Sequence, residues 1–480
     1  MENVQKFIII LLNLLLFFFY KPLFSKNPPE NNIAIVDVTV IPMNNKETLT
    51  NQTVLIKNGK INQIGKTEKT EIPKDVQIID GKGKYLVPGF FDMHTHFFYE
   101  QGDNKNTCEA ELKMMLANGL TTARIECGDS VYLVARKNVA DNKWIGPRLF
   151  VSSPQFVGNW PWPGKVFAEI CKEPKDAVAA VRKCKAEGYD EIKITFMVKR
   201  DVYDAIIKTA KEVGIKVTGH VGPLVKLPAA LEAKQQIEHM DEFIDMLLPD
   251  TTYNHGQSVS DMNIWRKKAW QTVPYLDENK IPALVSMVKK AEIYVTPTNY
   301  FFYSSFADSL TKEQYMQRPD YAFIPPKILE DRWNIRDRYW EKAPPIASRK
   351  KYIEIRNKMT FELAKTGVKL MAGSDSPEWF LVQGFSIHNE LETFVKTGMS
   401  PFEALETTTI NPATYLGLNK TKGTIELGKD ADLILLEKNP LENISNTKSI
   451  CGVMKGNKWF DKEQLKRLLD EAKIELSKSN

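Results

Sequence analysis

Two hydrophobic rhythms divide this chain. Near its start, Asn32 to Pro42 (Ile33, Ile35, Val36, Val38, Val40) and Gln52 to Ile64 are β-branched runs separated by Asn/Lys turns, with Lys57-Asn58-Gly59-Lys60 as a hairpin signal. Val76 to Asp80 adds a third strand. Strand and turn patterns return at Lys422 to Glu437 and at Ser449 to Trp459. The ends share a character that the middle lacks, which predicts one small β domain, of sandwich type, assembled from residues 30–85 and 416–480. Between them, residues 86–415 alternate. Helices are predicted at Cys108 to Asn118, Val131 to Asn138, Lys175 to Glu187, Val202 to Val213, Leu227 to Ala233, Pro282 to Ala291 and Arg349 to Lys365. Strands are predicted at Phe90 to His96, Thr121 to Glu126, Arg148 to Ser152, Glu191 to Thr195, Lys216 to His220, Gln236 to His239, Tyr294 to Thr298 and Lys369 to Ser374. Eight strands, each separated from the next by a helix, are the pattern of a closed parallel (β/α)8 barrel, an α/β fold.

One connection breaks the rhythm. Residues 301–347 run long and aromatic after the seventh strand, with Tyr303, Phe306, Tyr315, Tyr321, Phe323, Trp333, Tyr339 and Trp340. Long insertions in a barrel sit among the active-site loops, so two readings stand: a lid over the mouth, or a helical pair on the barrel wall. The loop Gln155 to Gly164 has the same apolar-aromatic flavour and is a candidate pocket lining.

The length of 480 residues accommodates such a barrel with an accessory domain. A formal charge of +5, without a dense Lys/Arg block, gives no reason to expect a nucleic acid partner. At the N-terminus, Phe7 to Tyr20 is almost wholly apolar and follows a short segment carrying Lys6. That length is short for a spanning helix and fits the apolar core of a secretory signal. Residues 1–27 therefore read as a signal peptide, or as an uncleaved anchor that would bring the chain to a membrane, and the body as exported (periplasmic or extracellular). The five cysteines, Cys108, Cys127, Cys171, Cys184 and Cys451, include no Cys-x-x-Cys unit, and their odd number excludes a fully paired set. They read as buried apolar residues.

The chemistry gathers at strand ends. Val87-Pro88-Gly89 marks a turn, and the apolar strand after it closes on His94-Thr95-His96. Residues i and i+2 of a strand point the same way, so two imidazoles aim at one place. His220 ends the fifth strand, His239 the sixth and Asp375 the eighth. Four of the six histidines thus fall at C-terminal strand ends, where such barrels keep their active sites. Nitrogen and oxygen ligands of this kind suit borderline divalent ions such as zinc. Lys193, bracketed by Ile192 and Ile194, faces the barrel interior if those aliphatics face the helices. A bare ammonium there is costly to bury and repels metal. Carboxylation by CO2 would turn it into an anion able to bridge two cations. His388, on a helix after the eighth strand, reads as a packing residue, and His255 lies in a polar loop with no assigned task.

These motifs resemble those of the metal-dependent amidohydrolase superfamily, in particular its imidazolonepropionase-like and Xaa-Pro dipeptidase-like branch. Pro88 to His96 looks like the family's first-strand motif. Gly219-His-Val-Gly-Pro223 and Ile237-Glu-His239 look like the fifth- and sixth-strand motifs, Ala372 to Ser376 like the eighth, and Gly423 to Leu433 like the C-terminal β return. The resemblance implies that His94, His96 and Asp375 hold one metal, that His220 and His239 hold the other, and that carboxylated Lys193 bridges them. It implies two divalent ions, zinc by preference, activating a shared hydroxide, with Asp375 shuttling the proton. Gly222 stands where dipeptidase-like members often carry a second histidine, which weakens transfer of specificity. The expected function is hydrolysis of an amide or peptide-like C–N bond in a dipeptide, N-acyl amino acid or cyclic amide. Lactone or ester hydrolysis at the same site is the alternative, and a non-catalytic binding protein is a third reading. Oligomeric state stays open.

Overall fold

The computed structural model describes residues 32–98, 107–159, 168–195, 197–249, 273–340 and 345–478. The apolar run at residues 7–20, His255 and residues 160–164 of the candidate pocket loop lie outside the described residues, as do the side chains of Tyr339 and Trp340. Among the described residues no helix is long and apolar enough to cross a membrane.

Eight parallel strands form the barrel: β1 (Phe90–Thr95), β2 (Leu120–Ile125), β3 (Arg148–Val151), β4 (Glu191–Ile194), β5 (Lys216–Gly219), β6 (Gln236–Glu238), β7 (Tyr294–Thr296) and β8 (Lys369–Leu370). Ladders join β1 to β2 to β3, and β4 through β8 in sequence order. Two parallel bridges close the ring, Ser152 to Glu191 between β3 and β4, and Thr95 to Ser376 between β1 and the segment after β8. Every predicted barrel helix is present, with ends that move by about three residues or fewer, the usual spread of frayed termini. The predicted last strand, Lys369 to Ser374, shortens to β8. Beyond it the Asp92 carboxylate accepts the Ser374 N–H at 3.0 Å and the Ser374 hydroxyl at 2.6 Å, curling the chain inward.

The alternation of side chains sorts the strands into two faces. Ala123, Ile125, Ile192, Ile194, Ile237 and Val295 join one continuous core with the surrounding helices. Arg124, Glu191, Lys193, Gln236 and Glu238 take the opposite face, the barrel interior, and all are buried.

A second sheet uses both ends of the chain. Its strand order is Lys458–Asp461, Ile450–Lys455, Leu433–Leu436, Tyr85–Pro88, Ile33–Val40, Leu49–Lys57, Lys60–Lys66. Ile33–Val40 bends at Asp37, where φ is +56°. Its first half pairs with Gln77–Asp80 and its second with Tyr85–Pro88, so the sheet folds over a core of Ile33, Ile35, Val54, Leu86, Leu433 and Met454. Tyr85–Pro88 runs through Gly89 directly into β1.

The aromatic insertion is a packed block. Tyr315, Tyr321, Phe323 and Trp333 share a cluster with Phe98, Met114, Phe380 and Leu476. It thereby ties the loop after β8 to the helix Thr107–Ala117 and to the terminal helix Lys462–Ser477.

Candidate metal centre

At the C-terminal mouth of the barrel, four side chains meet. His94 Nε2 and His96 Nε2 each lie 3.3 Å from Asp375 Oδ1. His239 Nδ1 lies 3.7 Å from Asp375 Oδ2 and 2.9 Å from the Thr298 hydroxyl. His94, His239 and Asp375 each offer one ligand atom within 4.8 Å of the others. The rings of His94 and His239 are 4.5 Å apart, and His220 stacks on His239 at 4.5 Å. His239 and Asp375 leave their strands in left-handed backbone, φ +64° and +55°, a strain that folded chains concentrate at functional sites. The Asp375 N–H donates to the His94 carbonyl at 2.7 Å, so the two ligand-bearing segments are locked together.

The protein also fixes the distal nitrogens of β1's pair. His94 Nδ1 meets Glu238 Oε2 at 2.6 Å, and His96 Nδ1 meets the Glu126 carbonyl at 3.1 Å. Both rings therefore present Nε2 toward Asp375, as metal-binding histidines do when their other nitrogen is held by the protein.

Lys193 is 1% exposed and inside the barrel. Its Nζ sits 3.2 Å from Glu126 Oε2, an ion-pair distance without hydrogen-bonding geometry, and among the described residues it has no hydrogen-bond partner. Burial opposes its charge, but Glu126 and Glu238 overrule that and raise its pKa above the ordinary lysine value. Read from its own strand, the Lys193 ammonium looks uncompensated. Glu126 and Glu238, contributed by other strands, supply the compensation.

Beneath the histidines lies a charged layer. Arg124, fully buried, donates Nε to the Met93 carbonyl at 2.7 Å and contacts Glu191 at 2.9 Å, Gln236 at 2.9 Å, Glu126 at 2.9 Å and, through a very short contact, Glu238. Glu191 also accepts the Tyr415 hydroxyl at 2.6 Å. Burial alone would keep the Glu238 carboxyl neutral, but Arg124 and His94 hold it well below the usual carboxylate range. Burial opposes ionisation of Asp375 too, and His94 and His239 again win. Burial, aided by His94, pushes His239 well below an ordinary imidazole, into the neutral form that a metal ligand requires.

The donor set fits divalent cations of the zinc type: several imidazoles, a carboxylate and a buried lysine whose Nζ lacks a hydrogen-bond partner among the described residues, all in one buried mouth. The structure brings His94, His96, His239 and Asp375 together, sets His220 against His239, and places Lys193 beside Glu126 and within the field of Glu238. Arg124, Glu126, Glu238 and Thr298 are the residues that the sequence reading missed. Their signal was parity: Arg124-Ile125-Glu126 alternates on β2 as Glu191-Ile192-Lys193 does on β4. His388 lies elsewhere, its Nδ1 on the Thr447 hydroxyl at 3.0 Å and its Nε2 on the Asn118 carbonyl at 3.2 Å.

Comparison with known proteins adds a family and a fold. The sequence profile of the amidohydrolase family matches residues 85–460. Dihydroorotase from Staphylococcus epidermidis is 35% identical over 85 residues, 14% of this chain and 20% of that protein. Dihydroorotase from Anaeromyxobacter dehalogenans is 30% identical over 70 residues, 15% and 16% of the two chains. The chain thus aligns with a fifth or less of these curated relatives. Among solved structures, bottromycin amidohydrolase is similar with a TM-score of 0.71 at 20% identity, covering 94% of this chain and 91% of that one. A Xaa-Pro dipeptidase with bound methionine gives 0.63 at 19%, covering 90% and 100%. Ochratoxinase of A. niger gives 0.63 at 19%, covering 90% and 96%. These likenesses establish a shared fold.

Proposed function

We propose that this chain, which belongs to the amidohydrolase family, hydrolyses an amide or peptide-like C–N bond of a small substrate at a centre of two divalent cations. The observation that carries the reading is the convergence of His94, His96 and His239 on the Asp375 carboxylate. His94, His96 and Asp375 would hold one cation, His220 and His239 the other, with a carbamate on Lys193 between them. Zinc is the ion that this donor set suits. When bound, such a pair acidifies a shared water and polarises a carbonyl.

Forming the carbamate from the Lys193 ammonium releases two protons, one as the ammonium becomes the free amine and one as that amine joins CO2.

Asp375 would take a proton from the attacking water and return it to the leaving nitrogen. Its ionised state, favoured by His94 and His239, is the state that can accept one. Asp375→Asn should cut turnover by roughly 10²–10⁴-fold, the usual range for a lost general acid–base. Full activity in a zinc-loaded Asp375→Asn protein would sink the assignment.

The direct test is metal analysis combined with a panel of dipeptides, N-acyl amino acids, cyclic amides and lactones. Near two equivalents of zinc, activity lost to a chelator and restored by zinc, and turnover of a C–N substrate are expected. Turnover of lactones alone would move the reading to ester chemistry. The apolar run at residues 7–20 supports export, which sequencing the mature N-terminus checks.

A further inference from the structure

We infer that Glu238 is a positioning residue for the metal centre: it fixes the His94 imidazole with Nε2 outward, and Arg124 and Thr218 hold it in place to do so. This rests on the metal-site reading above. Glu238 divides its two oxygens between two tasks. Oε2 meets His94 Nδ1 at 2.6 Å, while Oε1 takes the Arg124 guanidinium and the Thr218 hydroxyl, the latter at 3.1 Å. All four side chains are buried, so water cannot substitute for any of these partners. With Arg124 and Thr218 on its other oxygen, the carboxylate turns Oε2 to accept from His94 Nδ1, which leaves Nε2 as the nitrogen facing Asp375. The remaining geometry agrees. Arg124 also donates to the carbonyl of Met93, the residue before His94, so one guanidinium fixes both the ring's partner and the backbone that carries the ring.

Glu238→Gln exposes the logic, because an amide has one accepting oxygen for two obligate donors. Arg124 is charged and takes it. The amide N–H₂ then faces His94 Nδ1, which must become the acceptor, and the proton moves to Nε2, where it blocks a metal. Side-chain size is unchanged. Arg124→Met is a poorer probe, since it strands three buried carboxylates and threatens folding.

The experiment measures zinc affinity by chelator competition in the full chain, for wild type, Glu238→Gln and Glu191→Gln, with thermal unfolding of each zinc-free protein. Glu191 touches the same arginine but no imidazole, so it controls for general damage to the charged layer. Glu238→Gln should bind zinc about 10–100-fold more weakly, the range for lost partners of ligating histidines, and Glu191→Gln should stay within about threefold of wild type. Equal losses in both variants, or none in Glu238→Gln, overturn the inference. A wild type that binds no zinc overturns the metal reading itself and this inference with it. Should Glu238→Gln fail to fold, selective ¹⁵N-histidine NMR of the zinc-loaded wild type decides. Coordination of His94 through Nε2, with a strongly hydrogen-bonded Nδ1 proton, supports the assignment. Coordination through Nδ1 refutes it.

Discussion

His388 shows what a histidine of this chain does away from the barrel mouth. Both ring nitrogens are engaged, one by the Thr447 hydroxyl and one by the Asn118 carbonyl, so the ring stitches the helix Ser386–Thr397 to two other segments. Burial, with the nearby Lys448 charge, depresses its pKa to about 4. A base depressed on folding contributes stability that is present above its unfolded pKa and lost as pH falls through the folded one. Here that window runs from about 6.5 down to about 4. Its size is about 3 kcal/mol, from the free-energy value of a pKa unit. Urea unfolding across that range should show the loss, and His388→Gln should flatten it. A wild-type curve that is flat between pH 6.5 and 4 would contradict the assignment. At this scale the sequence disclosed the histidines and Asp375 well, because strand ends carry them. Their supporting carboxylates were harder to read, since Glu126 and Glu238 acquire meaning only when β2, β4 and β6 are wrapped into one ring.

Among the elements, β4 and β5 approach unusually closely. Gly219 adopts φ +122°, and a Cβ there would lie 2.0 Å from the Ile194 carbonyl oxygen. Both the backbone angle and the space demand glycine. Gly219→Ala should therefore push the two strands apart and carry His220 with them, destabilising the protein by more than about 2 kcal/mol. Chemical denaturation measures this, and a change below about 0.5 kcal/mol, the surface-substitution range, would show that the approach is dispensable. The insertion offers a second handle. Trp333 packs tilted against Phe380 with ring centres 4.5 Å apart, within a cluster that includes Tyr315 and Tyr321. Phe380→Ala should cost about 3–5 kcal/mol, the usual range for a buried aromatic. Calorimetry would register it, and an unchanged melting temperature would mean that the block is not anchored there. The barrel strands and helices were legible from period alone. The terminal helix Lys462–Ser477 was not, because its apolar set, Leu465, Leu468, Ala472 and Leu476, is diluted among charges.

For the molecule as a whole, catalytic readiness and architecture share one joint. Gly89, the hinge between sheet and barrel, donates its N–H to the Asp432 carbonyl at 2.8 Å, and Val87 pairs with Ile434. A Cβ at Gly89 would meet Thr121 at 2.3 Å, so the joint is tight as well as bonded. Regular alternation made the barrel readable. The β character of both ends hinted at their union, but no local signal specified which strands would meet, since such pairings span hundreds of residues.

That union sets a timetable for synthesis. The strand leading into His94 and His96 borders Leu433–Leu436 on one side, so it lacks that neighbour until the ribosome has passed Leu436. Nascent chains of intermediate length hold an unpaired edge at Tyr85–Pro88, just ahead of the histidine pair, the kind of surface that invites aggregation. Competence to bind a cation should then arrive late and abruptly during translation, instead of growing strand by strand.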